Sequence, residues 1–381
     1  MTRRFLPGAT IGLMGSGQLG RMFAVAARRM GYRVHVFSPE KNTPAGQFAD
    51  REVTGAYEDE AAVREFAKDL DLLTFEFENI PRQTVDWCTA ECEVRPASSV
   101  LHTAQNRLRE KDFLAQAGIP VGPYRAVRSA AELSAAIGTI KTPAILKSAA
   151  FGYDGKGQRF IEEPVDAAQI WQERPGDELI LEAAIDFEKE LSVIVARGPD
   201  GSMATFPVCE NMHRNHILDV TVVPARVSAE VEKSAADLAR AIAEKMDLVG
   251  LMAVEMFLQR DGTLLANELA PRPHNSGHWT IEGCGTSQFE QHVRAVCGLP
   301  LGSTQLLSPS AMANLLGDLW QGGEPNWVAA LAVQGVRLHL YGKHHPRSRR
   351  KMGHLTVLAS TAEAAIDAVT KARDALNQRN A

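Results

Sequence analysis

The hydrophobic positions at the start of the chain predict alternating strands and helices. Thr10–Met14 is a short apolar run, and a glycine-rich turn at 15–20 separates it from a helical pattern that continues to Met30. A second apolar run covers Arg33–Phe37. The order strand, glycine turn, helix, strand is typical of a doubly wound parallel sheet, so we predict such a domain over residues 1–97.

The glycine turn Gly15-Ser16-Gly17-Gln18-Leu19-Gly20 lets backbone amides approach a ligand phosphate at the start of a helix. A dinucleotide-binding fold also needs an acidic residue at the end of the second strand. That strand ends in Phe37-Ser38-Pro39, and Glu40 follows only after the proline. Three interpretations therefore stay open: an NAD-binding loop, a phosphate loop for another ligand, and a glycine turn without a ligand.

A third strand is predicted over Leu70–Ile80, where phenylalanines alternate with Glu76 and Glu78. This alternation places the two carboxylates on one face of the strand. Doubly wound sheets bind ligands at the carboxyl ends of their strands, whereas an exposed edge strand would also explain the pattern. Glu76 and Asn79 are therefore candidates for binding the hydroxyl groups of a ligand.

The middle of the chain begins with a predicted helix, Ala104–Ala117, which ends at Gly118. It carries Arg107 and Lys111 four residues apart. Charged residues at this spacing usually form a solvated helix face, so the spacing alone does not identify a site.

A lysine at the end of an apolar strand precedes a second glycine-rich loop. Ala144–Lys147 is predicted as the strand, Gly152–Gly157 as the loop, and Gln158–Ile161 as the next strand. A Walker loop leads into a helix, whereas a glycine loop between strands is typical of a flap whose amides cover polyphosphate. Lys147 would then neutralise phosphate charge. The alternative is a plain hairpin with a surface lysine.

Two predicted strands at 253–269 place two glutamates opposite each other. If Asp261-Gly262 forms a two-residue loop, Glu255 faces Glu268. Facing carboxylates repel, and shared protonation or a hard cation relieves the repulsion. Oxygen ligands combined with a substrate phosphate suit Mg²⁺, and Asn267 offers another oxygen. We predict a magnesium site here, with plain surface glutamates as the alternative.

Two cationic segments follow the glutamate hairpin. The proline-fixed loop Pro271–His278 carries Arg272 and His274, which can bind an anionic acceptor of a phosphoryl group. Near the C-terminus, two predicted strands flank a basic turn at 342–354. Such a turn is usually a solvated loop or a nucleic-acid patch.

Composition narrows the class of protein. The chain has 381 residues, 45% of them hydrophobic and 23% charged, which is typical of a globular protein of two or three domains. Its net charge of -5 speaks against non-specific nucleic-acid binding by the whole chain. The five cysteines are scattered and are expected to be reduced thiols. We find no signal peptide and no apolar stretch of membrane-spanning length, so a cytoplasmic protein without membrane or nucleic-acid partners is expected.

These motifs resemble the ATP-grasp superfamily. The shared features are Lys147, the 152–157 loop, the segment 182–185, Glu190, and the Glu255 hairpin with Asn267 and Glu268. Within the superfamily, the chain is similar to the 5-(carboxyamino)imidazole ribonucleotide synthase family, nearly end to end. Four motifs carry this similarity: Gly15–Met22, Thr74–Ile80, Gly152–Gly157 and Pro271–His278. One departure is His216, where a glycine is common in the family.

The resemblance implies a fold and an activity. The fold is mixed α/β and α+β: an N-terminal domain over 1–97, an ATP-grasp domain over 98–305 with a flap subdomain at about 120–185, and a C-terminal domain over 306–381. The family works as a homodimer. In its reaction ATP phosphorylates bicarbonate to carboxyphosphate, and the amine of aminoimidazole ribonucleotide takes up the carboxyl group. This is an ATP-dependent carbon–nitrogen ligation in purine biosynthesis.

The resemblance also implies residue roles. ATP is expected to contact Arg107, Lys147, Gly152, Tyr153, Asp154, Gly155, Lys156, Gly157, Gln158, Glu182, Ala183, Ala184, Ile185, Glu190, His213, Asn267 and Glu268. Mg²⁺ is expected at Glu255 and Glu268. The catalytic set comprises Arg272, His274, Asp154 and Lys343. Aminoimidazole ribonucleotide is expected to contact Gly17, Gln18, Glu76, Asn79, Tyr153, Asp154, Arg272, Lys343, Arg350 and Lys351.

Three rival functions explain parts of the sequence. A formate-dependent glycinamide ribonucleotide transformylase shares the fold and the metal pair, but the Thr74–Ile80 run speaks against it. An NAD-dependent oxidoreductase explains the glycine turn but neither Lys147 nor the glutamate hairpin. A nucleotide sensor or nucleic-acid binder explains the basic turn but not the arrangement of carboxylates.

Overall fold

The N-terminal part forms a five-stranded parallel sheet in the order β3-β2-β1-β4-β5. The computed structural model describes residues 3–150, 158–162, 166–173 and 178–378. The predicted doubly wound topology is confirmed. The strands are β1 (Thr10–Met14), β2 (Arg33–Ser38), β3 (Arg51–Thr54), β4 (Leu72–Phe75) and β5 (Glu93–Val94), and the helices are α1 (Gln18–Arg29), α2 (Glu60–Lys68) and α3 (Arg82–Thr89).

Strand β4 is shorter than the sequence predicts. It ends at Phe75, so the prediction that Glu76–Ile80 continues the strand is wrong. The side-chain amide of Gln105 donates to the carbonyl oxygens of Glu78 at 2.7 Å and Ile80 at 2.5 Å. These bonds hold the segment as a loop above the carboxyl end of the sheet. Glu76 and Glu78 therefore lie in a loop and do not share one face of a strand.

The predicted helix Ala104–Ala117 is two helices, α4 (Ser98–Ala104) and α5 (Arg107–Gln116). Asn106 lies in extended conformation between them, and its side-chain oxygen accepts the backbone N–H groups of Leu108 at 2.9 Å and Arg109 at 3.1 Å. Asparagine is a favoured N-cap because it satisfies such donors, which explains the new start. Arg107 thereby becomes the first residue of α5.

A small antiparallel sheet follows, in the order β6-β9-β7-β8. Its apolar face packs against α6 and α7 through a cluster that includes Leu133, Leu146 and Ile170. Lys147 lies at the end of β7, in register with Gln158 and Ile180. The elements are β6 (Tyr124–Val127), α6 (Ala130–Ile140), β7 (Ala144–Ser148), β8 (Gln158–Ile161), α7 (Ala167–Gln172) and β9 (Leu179–Ala183).

The largest sheet has nine antiparallel strands in the order β15-β14-β10-β12-β13-β16-β18-β17, with β11 paired to β10. The sheet continues across the predicted boundary at 305/306, because β13 pairs with β16. Its first part comprises β10 (Phe187–Arg197), β11 (Met203–Thr205), β12 (Cys209–Arg214), β13 (Ile217–Val223), α8 (Ala229–Lys245), β14 (Gly250–Gln259), β15 (Leu264–Ala270), α9 (Thr280–Gly283) and α10 (Gln288–Cys297).

The C-terminal part adds three strands and two helices. Strand β18 begins at Lys351, so the predicted basic turn at 342–354 is shorter than expected. Helix α12 packs on these strands through an apolar cluster. The elements are β16 (Ser310–Leu316), α11 (Trp327–Leu331), β17 (Val336–Leu340), β18 (Lys351–Leu358) and α12 (Ala362–Ala375). Within the described residues, no helix is both long and apolar enough to cross a membrane.

The turn between β12 and β13 accounts for the departure at His216. Asn215 has φ +51° and His216 has φ +63°, so both residues are left-handed. Asparagine and histidine adopt this region more often than most other non-glycine residues, although each has a steric cost there that glycine lacks. A glycine at position 216 would carry no such cost, which gives a physical reason for the glycine that is common there.

Helix α10 joins the large sheet to the N-terminal domain. Phe289, Val293 and Val296 share one apolar cluster with Phe23 of α1. His292, on the same helix, is fully buried, and a hydrogen bond of 2.9 Å joins its Nε2 to the hydroxyl of Thr74. Burial lowers the pKa of His292 to about 3. This histidine is therefore neutral in the folded protein.

His292→Phe is expected to reduce the acid sensitivity of the fold. The pKa of His292 is about 3 when folded and near 6.5 when unfolded, so protons bind preferentially to the unfolded chain between these values. Relative to the variant, the parent should lose up to about 1.4 kcal/mol of unfolding free energy per pH unit between pH 6 and pH 4. Urea unfolding at several pH values measures this difference. A difference that stays constant with pH would contradict it.

Candidate active site

Glu255 on β14 and Glu268 on β15 face each other, as predicted. The route to this register differs from the prediction. Gln259 donates its N–H to Thr263 at 2.9 Å, which makes a three-residue loop with Gly262 at φ +87°. An irregularity between Glu255 and Met256 leaves Asn267 without a ladder partner and restores the pairing. The predicted two-residue loop is therefore wrong, and the facing pair is confirmed. We call β14 and β15 the metal hairpin, after the magnesium site that the sequence predicts there.

The two carboxylates of the metal hairpin have cationic or polar neighbours. Arg107 donates to Glu268 at 3.1 Å, and Nε2 of His274 lies 3.4 Å from Glu255. Burial, followed by the charge of Glu268, raises the pKa of Glu255 to about 7. This rise reflects a carboxylate that lacks enough positive charge nearby, which is the situation that a bound cation relieves.

Glu182 lies between two lysines. Its carboxylate contacts Lys147 at 2.5 Å and Lys111 at 3.4 Å, and all three side chains are at most 14% exposed. Burial acts to raise the pKa of Glu182, but the two ammonium groups lower it to about 2. Glu182 is therefore ionised and already paired. Its side chain fixes Lys147, so any contact of segment 182–185 with a base falls to other atoms of that segment.

Glu190 on β10 contacts the ring of His213 on β12. Burial alone would lower the pKa of His213, but the hydrogen bond and charge of Glu190 raise it. The charges of this pair also act on Glu255, as does that of Lys351. The structure thus brings these three predicted site residues close to the metal hairpin.

The loop after the metal hairpin crosses to the N-terminal domain. Arg272 forms a two-point ion pair with Glu78, with the second contact at 3.1 Å. Burial acts to raise the pKa of Glu78, but Arg272 holds it below its usual value. Burial, followed by the charge of Arg272, lowers the pKa of His274 well below its usual value. His274 is therefore a neutral imidazole, and its Nδ1 lies 2.8 Å from the Ser276 hydroxyl.

The first glycine turn binds a side chain of the protein itself. Gly17 and Gly20 donate their N–H groups to the carboxylate of Glu76, the second at 2.7 Å. A Cβ atom at Gly17 would lie 2.8 Å from that carboxylate, which explains the need for glycine. These two amides are therefore occupied, which speaks against the phosphate-loop and NAD interpretations. Gln18 begins α1 beside them.

The basic segment of the C-terminal part reaches the same region. Gln47 of the N-terminal domain donates to the carbonyl of Gly342 at 3.1 Å, and Lys343 donates to the carbonyl of Lys351 at 2.7 Å. The charge of Lys343 acts to lower the pKa of Glu76, although burial raises it overall. Arg350 donates to the carbonyl of His345 at 2.9 Å on the exposed side of the turn. Lys343 is therefore close enough to Glu76 for its charge to act on that carboxylate.

A small cavity connects the N-terminal domain to the metal hairpin. It is lined mainly by Glu78, Asn79, Gln105, Arg107, Glu110 and Glu268. The predicted nucleotide and substrate residues Arg107, Asn79 and Glu268 therefore meet in one place. The predicted loop residues Gly152, Tyr153, Asp154, Gly155, Lys156 and Gly157 lie outside the described residues.

Sequence reasoning assigned no role to three charged residues of this site. Glu78 pairs with Arg272, and Glu110 accepts the N–H of Leu269. Lys111 donates a hydrogen bond to a backbone carbonyl of the metal hairpin. All three come together through contacts between distant parts of the chain. The one local signal was the placement of Glu110 and Lys111 within a turn of Arg107 on α5.

The comparisons with known proteins fit this geometry. The ribonucleotide synthetase preATP-grasp domain matches residues 8–105, the ATP-grasp domain matches residues 112–289, and the phosphoribosylaminoimidazole carboxylase C-terminal domain matches residues 310–368. An N5-carboxyaminoimidazole ribonucleotide synthase of Bacillus subtilis is 47% identical over 364 residues, which is 96% of this chain and 95% of the relative. The chain belongs to the N5-carboxyaminoimidazole ribonucleotide synthase family. This is the family predicted above under a synonymous name.

Solved structures agree with this assignment to the N5-carboxyaminoimidazole ribonucleotide synthase family. An ADP complex of an N5-carboxyaminoimidazole ribonucleotide synthetase superposes with a TM-score of 0.92 at 43% identity, covering 99% of this chain and 100% of that one. The Aspergillus clavatus enzyme in complex with ADP and 5-aminoimidazole ribonucleotide gives a TM-score of 0.88 at 32% identity, covering 97% and 99%. The predicted ATP-grasp fold and the assignment as an ATP-dependent ligase of purine biosynthesis are confirmed.

Proposed function

We propose that this protein uses ATP to carboxylate aminoimidazole ribonucleotide with bicarbonate, through carboxyphosphate. A bicarbonate oxygen attacks the γ-phosphorus of ATP, and ADP leaves. The amine nitrogen of aminoimidazole ribonucleotide then takes up the carboxyl group and loses a proton, and phosphate leaves. The observation that carries the proposal is the meeting of the Glu255–Glu268 pair with His274, which lies beside Glu255, and with Arg272, whose partner Glu78 lines the same small cavity as Glu268.

The metal hairpin fits Mg²⁺ through its donor set. Two facing carboxylates, one of them with a raised pKa, supply hard oxygen ligands, and Mg²⁺ usually takes its remaining ligands from phosphates and water. Among the described residues, no cluster of three or more His, Cys, Asp or Glu side chains forms a metal cage, and this mode of binding needs none. Glu255 and Glu268 would hold the ion, which neutralises the charge of the triphosphate.

The remaining charged groups bind and orient the substrates. Arg107, which pairs with Glu268, and Lys147, which pairs with Glu182, would balance the negative charge of the polyphosphate. Arg272 offers a planar cation to bicarbonate and to its phosphorylated form. His274 is neutral and can accept a hydrogen bond or a proton at Nε2 once Glu255 turns to a metal. Glu190 accepts from the ribose hydroxyls of ATP.

Aminoimidazole ribonucleotide is proposed to bind between the N-terminal domain and the basic C-terminal turn. Asn79 lines the small cavity on the N-terminal side, and Gln18 follows Gly17 in the glycine turn that Glu76 holds in shape. Lys343, with Arg350 or Lys351, would neutralise the 5′-phosphate. We also propose that the protein is a homodimer.

A coupled assay of ADP release tests the proposed function. ADP release is expected to require Mg²⁺ and to rise when aminoimidazole ribonucleotide and bicarbonate are both present. The matched control replaces them with glycinamide ribonucleotide and formate. Turnover with the control pair would favour the transformylase, and NADH binding without ATP turnover would favour the dehydrogenase. Either outcome would overturn the proposal.

A further inference from the structure

Helix α5 presents three charged side chains to the metal hairpin. Arg107 binds the carboxylate of Glu268, and Glu110 accepts the backbone N–H of Leu269. Lys111 donates to the carbonyl of Asn267 at 3.0 Å and to that of Ala266 at 3.3 Å. One face of α5 therefore contacts the consecutive residues 266–269 of β15.

These contacts fall where the hairpin ladder is irregular. The three-residue loop alone would place Glu255 opposite Asn267, because the pairs from Leu258–Leu264 to Met256–Ala266 follow that register. The extra residue at Asn267 shifts Glu268 into place opposite Glu255. A slip by one residue turns a side chain to the other face of a sheet. The bulge therefore decides whether two carboxylates face each other.

Lys111 also connects this bulge to the small sheet. Its side chain is 4% exposed, and its ammonium group lies 3.4 Å from Glu182, which in turn contacts Lys147 at 2.5 Å. A buried ammonium group needs several partners, and Lys111 has two carbonyls and one carboxylate. The result is a continuous polar connection from the bulge to the strand that carries Lys147.

We propose that Lys111 is a positioning residue for the magnesium–nucleotide complex. Lys111 holds the bulge that orients Glu268. It also fixes Glu182 at a set distance from that bulge, and Glu182 in turn fixes Lys147. Lys111 acts through these residues and does not itself contact the substrates. The inference rests on the proposed function, because it assumes that the metal hairpin holds Mg²⁺ with a nucleotide phosphate.

Lys111→Met and Lys111→Gln test this role by calorimetric titration of ADP with and without Mg²⁺. Methionine keeps the length of the side chain but removes the donor and the charge, whereas glutamine keeps one donor. The ratio of ADP affinity with Mg²⁺ to ADP affinity without it is expected to be about tenfold lower in Lys111→Met than in the parent. The kcat should fall roughly 10²-fold, because the reacting groups are displaced. The KM for aminoimidazole ribonucleotide should stay within about twofold. Lys111→Gln should recover part of the Mg²⁺ effect.

Lys68→Met is the matched control, because Lys68 is exposed on α2 and pairs only with a helix neighbour, Glu65, at 3.2 Å among the described contacts. It should behave like the parent. If Lys111→Met does not fold, Lys111→Gln is measured with the same expected direction. The inference is overturned if a folded variant keeps the full Mg²⁺ effect, or loses ADP affinity equally with and without Mg²⁺. A parent without Mg²⁺-dependent ADP binding or substrate-stimulated turnover would overturn the proposed function as well.

Discussion

Glu268→Gln is expected to lower ATP turnover by about 10³-fold while the protein stays folded. Glutamine keeps the shape of the side chain but removes the charge that faces Glu255 across the hairpin. The ion pair with Arg107 is lost, but so is the repulsion that raises the pKa of Glu255, so the two effects on stability oppose each other. Coupled ADP release measures the activity, and thermal unfolding followed by circular dichroism measures the fold.

Glu244→Gln on the exposed surface of α8 is the control for loss of a single carboxylate. It should leave turnover unchanged. A Glu268→Gln variant that is folded and retains more than about a tenth of the parent's turnover would remove Glu268 from the metal site. A variant that unfolds would instead show that the ion pair with Arg107 dominates the stability of the hairpin.

Arg272→Met is expected to lower both stability and activity, for separable reasons. It leaves the carboxylate of Glu78, whose side chain is 18% exposed, without its two-point ion pair. Removing one partner of a largely buried pair should reduce the free energy of unfolding by roughly 2 kcal/mol, below the range for fully buried pairs. Turnover should fall about 10²–10³-fold, because the cation proposed to bind the phosphoryl acceptor is gone. Urea unfolding and coupled ADP release measure the two effects.

The double variant Glu78→Gln/Arg272→Met separates these two effects. Neutralising Glu78 removes the unpaired charge, so most of the stability lost in Arg272→Met should return. Activity should not return, since the cation is still missing. If the double variant regains both stability and turnover, Arg272 serves only to neutralise Glu78, and its proposed contact with bicarbonate is wrong.

Local patterns predicted the elements of the fold well, and their ends less well. The parallel sheet, the glutamate hairpin and helix α1 all follow from alternation, glycine positions and helical spacing. The end of β4 and the break at Asn106 do not follow from such patterns. The side-chain amide of Gln105 determines the first, and the N-cap at Asn106 determines the second. In the metal hairpin, a loop one residue longer than predicted and a bulge of one residue cancel each other. The facing pair therefore emerged from an incomplete argument.

The candidate site was predictable where residue type and local spacing together indicate chemistry. Lys147, Glu255 and Glu268 could be selected in this way. The occupation of the glycine turn by Glu76 could not, because it depends on the sheet order that places β4 beside β1. Lys111 gave no signal beyond its place one turn from Arg107, since its burial arises from carbonyls about 155 positions further along the chain. Such long-range contacts follow only from the folded structure.

The most direct test of the metal hairpin is a crystal structure of the protein with ADP and Mn²⁺, in which anomalous scattering locates the ion. Mn²⁺ takes oxygen ligands like those of Mg²⁺. We predict one anomalous peak within about 2.0–2.3 Å of carboxylate oxygens from both Glu255 and Glu268 and of an ADP phosphate oxygen. An ion bound to the nucleotide with neither glutamate among its ligands would contradict the account.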